Sequence, residues 1–198
     1  MTVTLTRIGE RHRKRPAVRA AVYPASLRAA SSITFVTASG RNSGGPRGSL
    51  GHYFPDGKTQ LVTEAIDLAL AELFVELERT VNEAETFAEA IGGNLAPWRY
   101  LLVEHDFALG CPLAATVVDT GVANPDLRVH VGEMLARYQA AVASVYVKFG
   151  DPPAHAAEQS TVLLAALEGA LILARARRDT EPLDMVERHF ASRVPTPA

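Results

Sequence analysis

At 198 residues and 47% hydrophobic content, the chain has the length for one or two domains with a proper core. Its apolar runs fall far short of the roughly 20 residues of a bilayer span. Residues 7–19 are too charge-dense for a signal peptide, so a cytoplasmic protein with no membrane partner is expected. A lone cysteine, Cys111, excludes an intrachain disulfide framework. The net charge of −2 hides an asymmetry: residues 1–58 hold ten Lys/Arg against two acids, a net of +8, and residues 59–198 hold ten against twenty, a net of −10. A basic head on an acidic body suits a polyanion-binding module, or a basic tail with no partner; charge alone does not separate the two.

Residues 1–42 offer no clean helix, because Pro24 falls inside any candidate first helix. The run 32–37, Ser-Ile-Thr-Phe-Val-Thr, is the one strand-like stretch of the chain. Residues 43–58, SGGPRGSLGHYFPDGK, join a glycine turn, a helix start at Pro46, a short helix and a second helix start at Gly57-Lys58. Arg47, Ser49, His52 and Tyr53 are residue types that reach phosphate oxygens or base edges, while Leu50 and Phe54 are spaced to pin the short helix to a core. On residue types alone a surface loop between two helices explains the string as well.

From residue 58 onward the apolar period is helical. The spacing predicts a helix over about 59–81 and a second over about 85–104, interrupted near Gly92-Gly93 or at Pro97. A short helix follows from Gly110-Cys111-Pro112 to about residue 121. Asn124 is a candidate N-cap with Pro125 at the first helical position, and the helix behind it carries Leu127, Val131, Met134, Tyr138, Val142 and Val145 on one broad face. The next helix, about 153–178, is apolar on nearly all sides between Val162 and Ala174, which marks it as central or as buried against another chain. A last helix is expected over about 182–192. There are no repeats of 20–50 residues.

The string PRGSLGHYFPDGK resembles the recognition-helix end of the TetR family of bacterial transcriptional repressors, whose members often read GxPRGSLYHHFPGGK at this point. Residues 110–115 (GCPLAA) and 164–171 (LAALEGAL) resemble the C-terminal domain of one branch, the LmrA/YxaF-like regulators, in matching order and spacing. The resemblance covers roughly residues 43–190. It implies an all-α fold: an N-terminal helix-turn-helix head on an all-helical body that dimerises and binds an effector. The implied function is a homodimeric repressor on a double-stranded DNA operator, released by a small apolar effector, with no cofactor. Arg47, Ser49, His52 and Tyr53 would face the operator, and Lys58 would contact phosphate. The domains are then an atypical basic segment (1–42), a recognition-helix remnant (43–58) and the helical body (59–198).

Residues 5–42 depart from the family pattern, in which a long amphipathic first helix and a short supporting helix precede the motif. Ser39-Gly40-Arg41-Asn42 stands where the supporting helix has an apolar anchor, and Gly51 stands where a tyrosine usually touches the DNA backbone. The arginine-rich run is what GC-rich DNA encodes in any frame, so the expectation is that residues 1–42 are out of the ancestral frame or degenerated and that family sequence resumes near Ser43. The alternative is therefore a ligand-binding or dimerising protein of the same descent that no longer binds DNA, since a recognition helix needs its two partner helices to hold it in the groove.

No enzyme signature is present. The six histidines are scattered, Cys111 has no CxxC partner for zinc, and Glu104-His105-Asp106 reads as solvated polar residues at a helix end. Neither a metal nor catalysis is expected. Cys111 reads either as a small buried group packing the Gly-Cys-Pro turn or as a thiol lining a pocket or sensing oxidants. Glu168 reads as a partnered core or interface carboxylate rather than a ligand contact. Trp98, Phe107, Cys111, Met134 and Tyr138, with Tyr100, are candidate walls of an effector pocket, although helical spacing makes the same residues plain core. Leu164, Leu167 and Leu171, with Leu183 and Val186 of the last helix, form the expected dimer stripe, two helices from each chain meeting about a twofold axis.

Overall fold

Every regular element that the computed structural model describes is an α-helix, over residues 54–120 and 124–192, with the side chains of residues 58, 68, 69, 72, 119 and 120 not described. The helices are α1 (Gly57–Glu83), α2 (Phe87–Glu104), α3 (Pro112–Thr120), α4 (Pro125–Lys148), α5 (Pro153–Arg177) and α6 (Glu181–Ala191). The all-α expectation therefore holds over these residues. The strand-like run 32–37 and the helix-turn-helix head lie outside them.

Local chemistry sets most of the boundaries. Gly57 has a φ of +75°, which favours glycine, and its N–H closes a turn on Phe54 O at 2.9 Å as α1 opens. Thr86 and Glu89 form a reciprocal capping box, so α2 starts at Phe87. Asn124 caps α4 as its position suggests, its Oδ1 accepting the Leu127 N–H at 3.1 Å. Lys148, in the last turn of α4, donates to Val81 O at 2.6 Å and Ala84 O at 2.7 Å, satisfying carbonyls at the C-terminal end of α1. Arg178 closes α5 in the left-handed conformation, φ 57°.

The expected interruption of α2 is absent: Pro97 sits inside one continuous helix. An interior proline costs about 3 kcal/mol. Against it, α2 buries Phe87, Ile91, Leu95, Trp98 and Leu102, each worth about 1.5–3 kcal/mol, so packing overrides the local penalty. Gly93 gives no break either, because it lets α2 lie close to Thr80 of α1. A Cβ there would stand 2.5 Å from Thr80 Cγ2.

The described residues divide into two compact units, and the division runs through the middle of two helices rather than at residue 59. The first unit takes α1 up to Glu72 together with Pro112–Val131. It buries Leu61, Ile66 and Leu70 of α1 with Leu113, Leu127 and Val131. Two polar ties join α4 to α1: Asn124 Nδ2 to Thr59 Oγ1 and His130 Nε2 with Asp67 Oδ1, both 2.8 Å.

The second unit takes Leu73–Cys111 and the chain from Gly132. Here α6 packs on both α5 and α2. Buried residues of α5 recur at three- and four-residue steps (Ala156, Ser160, Leu163, Leu167, Ala170, Ala174) and form its core face. Arg99 of α2 pairs with Asp184 at 2.7 Å and with Glu187, both on α6. Phe87 meets Tyr146 and Phe149 edge to face, with centroids 5.1 and 5.9 Å apart. By length and composition α5 could cross a membrane, but an 18-residue stretch of it is 33% buried within the protomer, and that buried share is its face toward the core.

Candidate functional site

Arg47, Ser49, His52 and Tyr53 lie outside the described residues. Lys58 is in the first turn of α1, and its side chain is not described. In the same unit an open cleft is lined by Asp56, Thr59, Gln60, Thr63, Glu64 and Asp126. Among its described lining residues three are carboxylates, which repel an anion and are poor partners for an apolar ligand.

The second unit holds a different kind of site. Three of the five candidate pocket residues, Trp98, Cys111 and Tyr138, come together inside it, with Asn94 and Glu168. Asn94 and Trp98 lie one turn apart on the buried side of α2, 3% and 5% exposed. Tyr138, on α4, is 3% exposed and donates its hydroxyl to Asn94 Oδ1 at 3.1 Å. Burial pushes the phenol up to about 12, opposed by the Trp98 and Asn94 groups facing its oxygen. The Trp98 indole N–H faces that hydroxyl without hydrogen-bond geometry. Both Trp98 Nε1 and Asn94 Nδ2 are buried donors without a partner. An unpaired buried donor costs about 1–3 kcal/mol, so two in one cluster mark a place where an acceptor belongs.

The other side of the cluster is acidic. Glu168, on α5, is partly buried, and burial raises its carboxyl above the ordinary range, opposed by a hydrogen bond from the Cys111 thiol. Cys111 is 6% exposed. Its thiol hydrogen-bonds the Glu168 carboxyl, which sets it on the acidic side of the cluster. Asn94 is absent from the sequence-derived candidates. Its signal was a polar residue on the apolar side of a helix, four before Trp98.

Phe107 lies in the connection that leads from α2 to Cys111. It follows Asp106 in a connection where both have left-handed backbones, φ 53° and 59°, a conformation that costs non-glycine residues about 1–2 kcal/mol each. Arg178 holds the connection in place, pairing with the Asp106 carboxylate and lying 6.0 Å from the Phe107 ring centroid. Arg178 also holds the Asp106 carboxyl below its ordinary range. Met134 is partly buried on α4, one turn before Tyr138.

Much of the expected dimer stripe is core within the protomer. Leu167, Leu171 and Leu183 are 0%, 2% and 0% exposed there, while Leu164 and Val186 are partly buried. The exposed apolar side of α5 is one face around: Val162 at 52%, Ile172 at 67% and Leu173 at 46%, with Met185 of α6 at 50%. Gly169 lies on that side, with open space where a Cβ would be.

The C-terminal domain of LmrA/YxaF-like transcriptional regulators matches residues 88–189, the span that contains this cluster, all of α5 and most of α6. An uncharacterized HTH-type transcriptional regulator of Mycobacterium tuberculosis is 38% identical over 157 residues, covering 76% of this chain and 78% of that protein. The chain belongs to the TetR family of transcriptional regulators. Other relatives of this TetR-family chain include the HTH-type transcriptional regulator LmrA of Bacillus subtilis, 25% identical over 78% of this chain and 80% of LmrA. YxaF of the same organism is 23% identical over 74% and 76%. The fold is shared with a TetR transcriptional regulator from Legionella pneumophila, with a TM-score of 0.70 at 15% identity over 78% of this chain and 83% of that one.

Proposed function

We propose that this TetR-family chain is a homodimeric repressor that leaves its DNA operator when a small, mainly apolar effector binds in the second unit. The observation that carries the effector reading is the buried pair of unpartnered donors, Asn94 Nδ2 and Trp98 Nε1, beside Tyr138 and Cys111. The DNA reading rests on the 43–58 string, with Arg47, Ser49, His52 and Tyr53 toward the operator and Lys58 on a phosphate. The dimer reading rests on the exposed stripe of α5 and α6. The two sites are coupled by continuous backbone: α1 and α4 each contribute residues to both units, and the cluster residue Cys111 is followed directly by α3. An effector that shifts α4 at Tyr138 moves a helix whose first turns belong to the other unit. A gel shift on the upstream intergenic DNA tests the reading. Salt-sensitive binding is expected, and loss of the shifted band with an added effector completes it. No binding at any salt concentration refutes it.

A second reading, a relative that dimerises and binds ligand but no longer reads DNA, is favoured by Pro24, by Ser39-Gly40-Arg41-Asn42 and by Gly51 at a usual tyrosine position. It expects the same melting temperature for residues 43–198 as for the full chain, together with an empty gel shift.

A further inference from the structure

Building on the effector reading, we propose that the second unit binds a small apolar amine, its ammonium paired with Glu168 and an oxygen acceptor of the same molecule held by Asn94 and Trp98. Glu168 lies in α5, the described helix long and apolar enough to pass for a membrane span. Among the described residues no Lys, Arg or His lies within ion-pair distance of it. The group that reaches it, the Cys111 thiol, is a weak donor for a carboxylate with about four acceptor positions. Carboxylates removed from water are normally paired. Among the described residues, the ionisable groups that interact with Glu168 or Tyr138 become anions if they ionise at all. The guanidinium of Arg175 lies further along α5 against Gly110 and does not pair with Glu168, so the counter-charge is left to a ligand. The aromatic rings of Trp98 and Tyr138 add a second preference for a cation, since an ammonium is attracted to aromatic faces. The opposite side of the cluster asks for an acceptor: the Asn94 and Trp98 N–H groups are both buried and both unpaired. A neutral or anionic apolar molecule of the same size meets the donor side and leaves Glu168 as it is, or repels it.

Trp98 is the single tryptophan of the chain, so its fluorescence reports on this site without a label. The test titrates the full-length protein with 4-phenylbutylamine, 4-phenylbutanol and 4-phenylbutyrate, three probes matched in size and differing in charge. The amine should bind about tenfold or more tighter than the alcohol, as a charge-assisted hydrogen bond requires, and the acid should bind weakest. Glu168→Gln should bring the amine to within about threefold of the alcohol, the loss of one charge-assisted pair. The proposal is overturned if the alcohol or the acid matches the amine, if the amine preference survives Glu168→Gln, or if no probe changes Trp98 emission up to about 10 mM, where even millimolar affinity would register. The comparison of probes on the unmodified protein decides the matter even if the variant fails to fold. If the amine binds as expected while the DNA complex stays intact, the amine site stands and the effector reading falls.

Discussion

Placing aspartate at Leu167 and, separately, at Ile172 puts the same charge five residues apart on α5, with opposite expected outcomes. Leu167 is 0% exposed in the protomer and Ile172 is 67% exposed. At Leu167, removing the buried side chain costs about 2–5 kcal/mol, and an unpaired buried carboxylate adds several more. Set against a total stability of about 5–15 kcal/mol, this unfolds the protomer. At Ile172 the side chain is already in water in the protomer, so folding should change by no more than about 0.5 kcal/mol. In a twofold dimer, however, each copy loses an apolar contact worth about 1.5–3 kcal/mol, so the assembly loses about 3–6 kcal/mol. That is roughly a 100-fold to 10,000-fold rise in the dimer dissociation constant. Sedimentation velocity with far-ultraviolet circular dichroism separates the cases: Leu167→Asp should lose helical signal, and Ile172→Asp should keep it and sediment as a monomer at micromolar concentration. An Ile172→Asp dimer of unchanged strength would refute the proposed face, and a folded Leu167→Asp protein would refute the assignment of Leu167 to the core.

Gly93→Ala should destabilise by about 1–2 kcal/mol, since overpacking against Thr80 at 2.5 Å exceeds the gain of about 1 kcal/mol in helix propensity. Gly132→Ala, with nothing within 4 Å, should instead stabilise by about 0.5–1 kcal/mol, and chemical denaturation of the pair checks the contrast. Burial raises the Glu168 carboxyl in the folded chain, so the unfolded chain ionises first as pH rises, and stability is lost from the ordinary carboxylate range up to the folded pKa. Glu168→Gln should therefore melt with wild type near pH 4, about the unperturbed carboxylate value, and above it near pH 7; an equal difference at both would refute this. Thr86→Ala breaks the capping box of α2 and should lower the melting temperature by about 2–4 °C, the shift for a loss of about 1 kcal/mol in a chain of this size.

What could be read in advance follows the range over which each signal acts. The Asn124 cap was legible because its partner, Leu127, is three residues away. The run of helices was legible because the 3.6-residue period is local, and the family motifs carried the rest. The orientation of α5 was not legible: with apolar residues on nearly all sides its period names no face, and α6 and α2 decide that Leu167 points inward and Ile172 outward. The polar cluster was only half legible for a related reason. Trp98, Cys111 and Tyr138 stand out as residue types, whereas Asn94 matters only because Tyr138, 44 positions later, brings a hydroxyl to it. Phe107 is a candidate on residue type, and what the structure adds is its neighbour Arg178, 71 positions later.

The boundary between the units was hidden by the same mechanism. In α1 and α4 the helical period continues unbroken through residues 72–73 and 131–132 while the packing partners change. A linear reading places a boundary where composition shifts, near residue 59, and so gives the whole of both helices to the body. The structure divides both helices between the units, with residues 57–72 of α1 and 125–131 of α4 in the first. In the proposed release, a ligand at Tyr138 acts on a helix whose first turns belong to the other unit. Tyr138 lies two turns beyond that change on α4, and the His130–Asp67 tie lies just before it. His130→Leu should therefore weaken the response of the DNA complex to an effector while leaving Trp98-detected binding unchanged. An equal loss of both, measured by gel shift and fluorescence on one preparation, would place the tie in simple folding rather than in coupling.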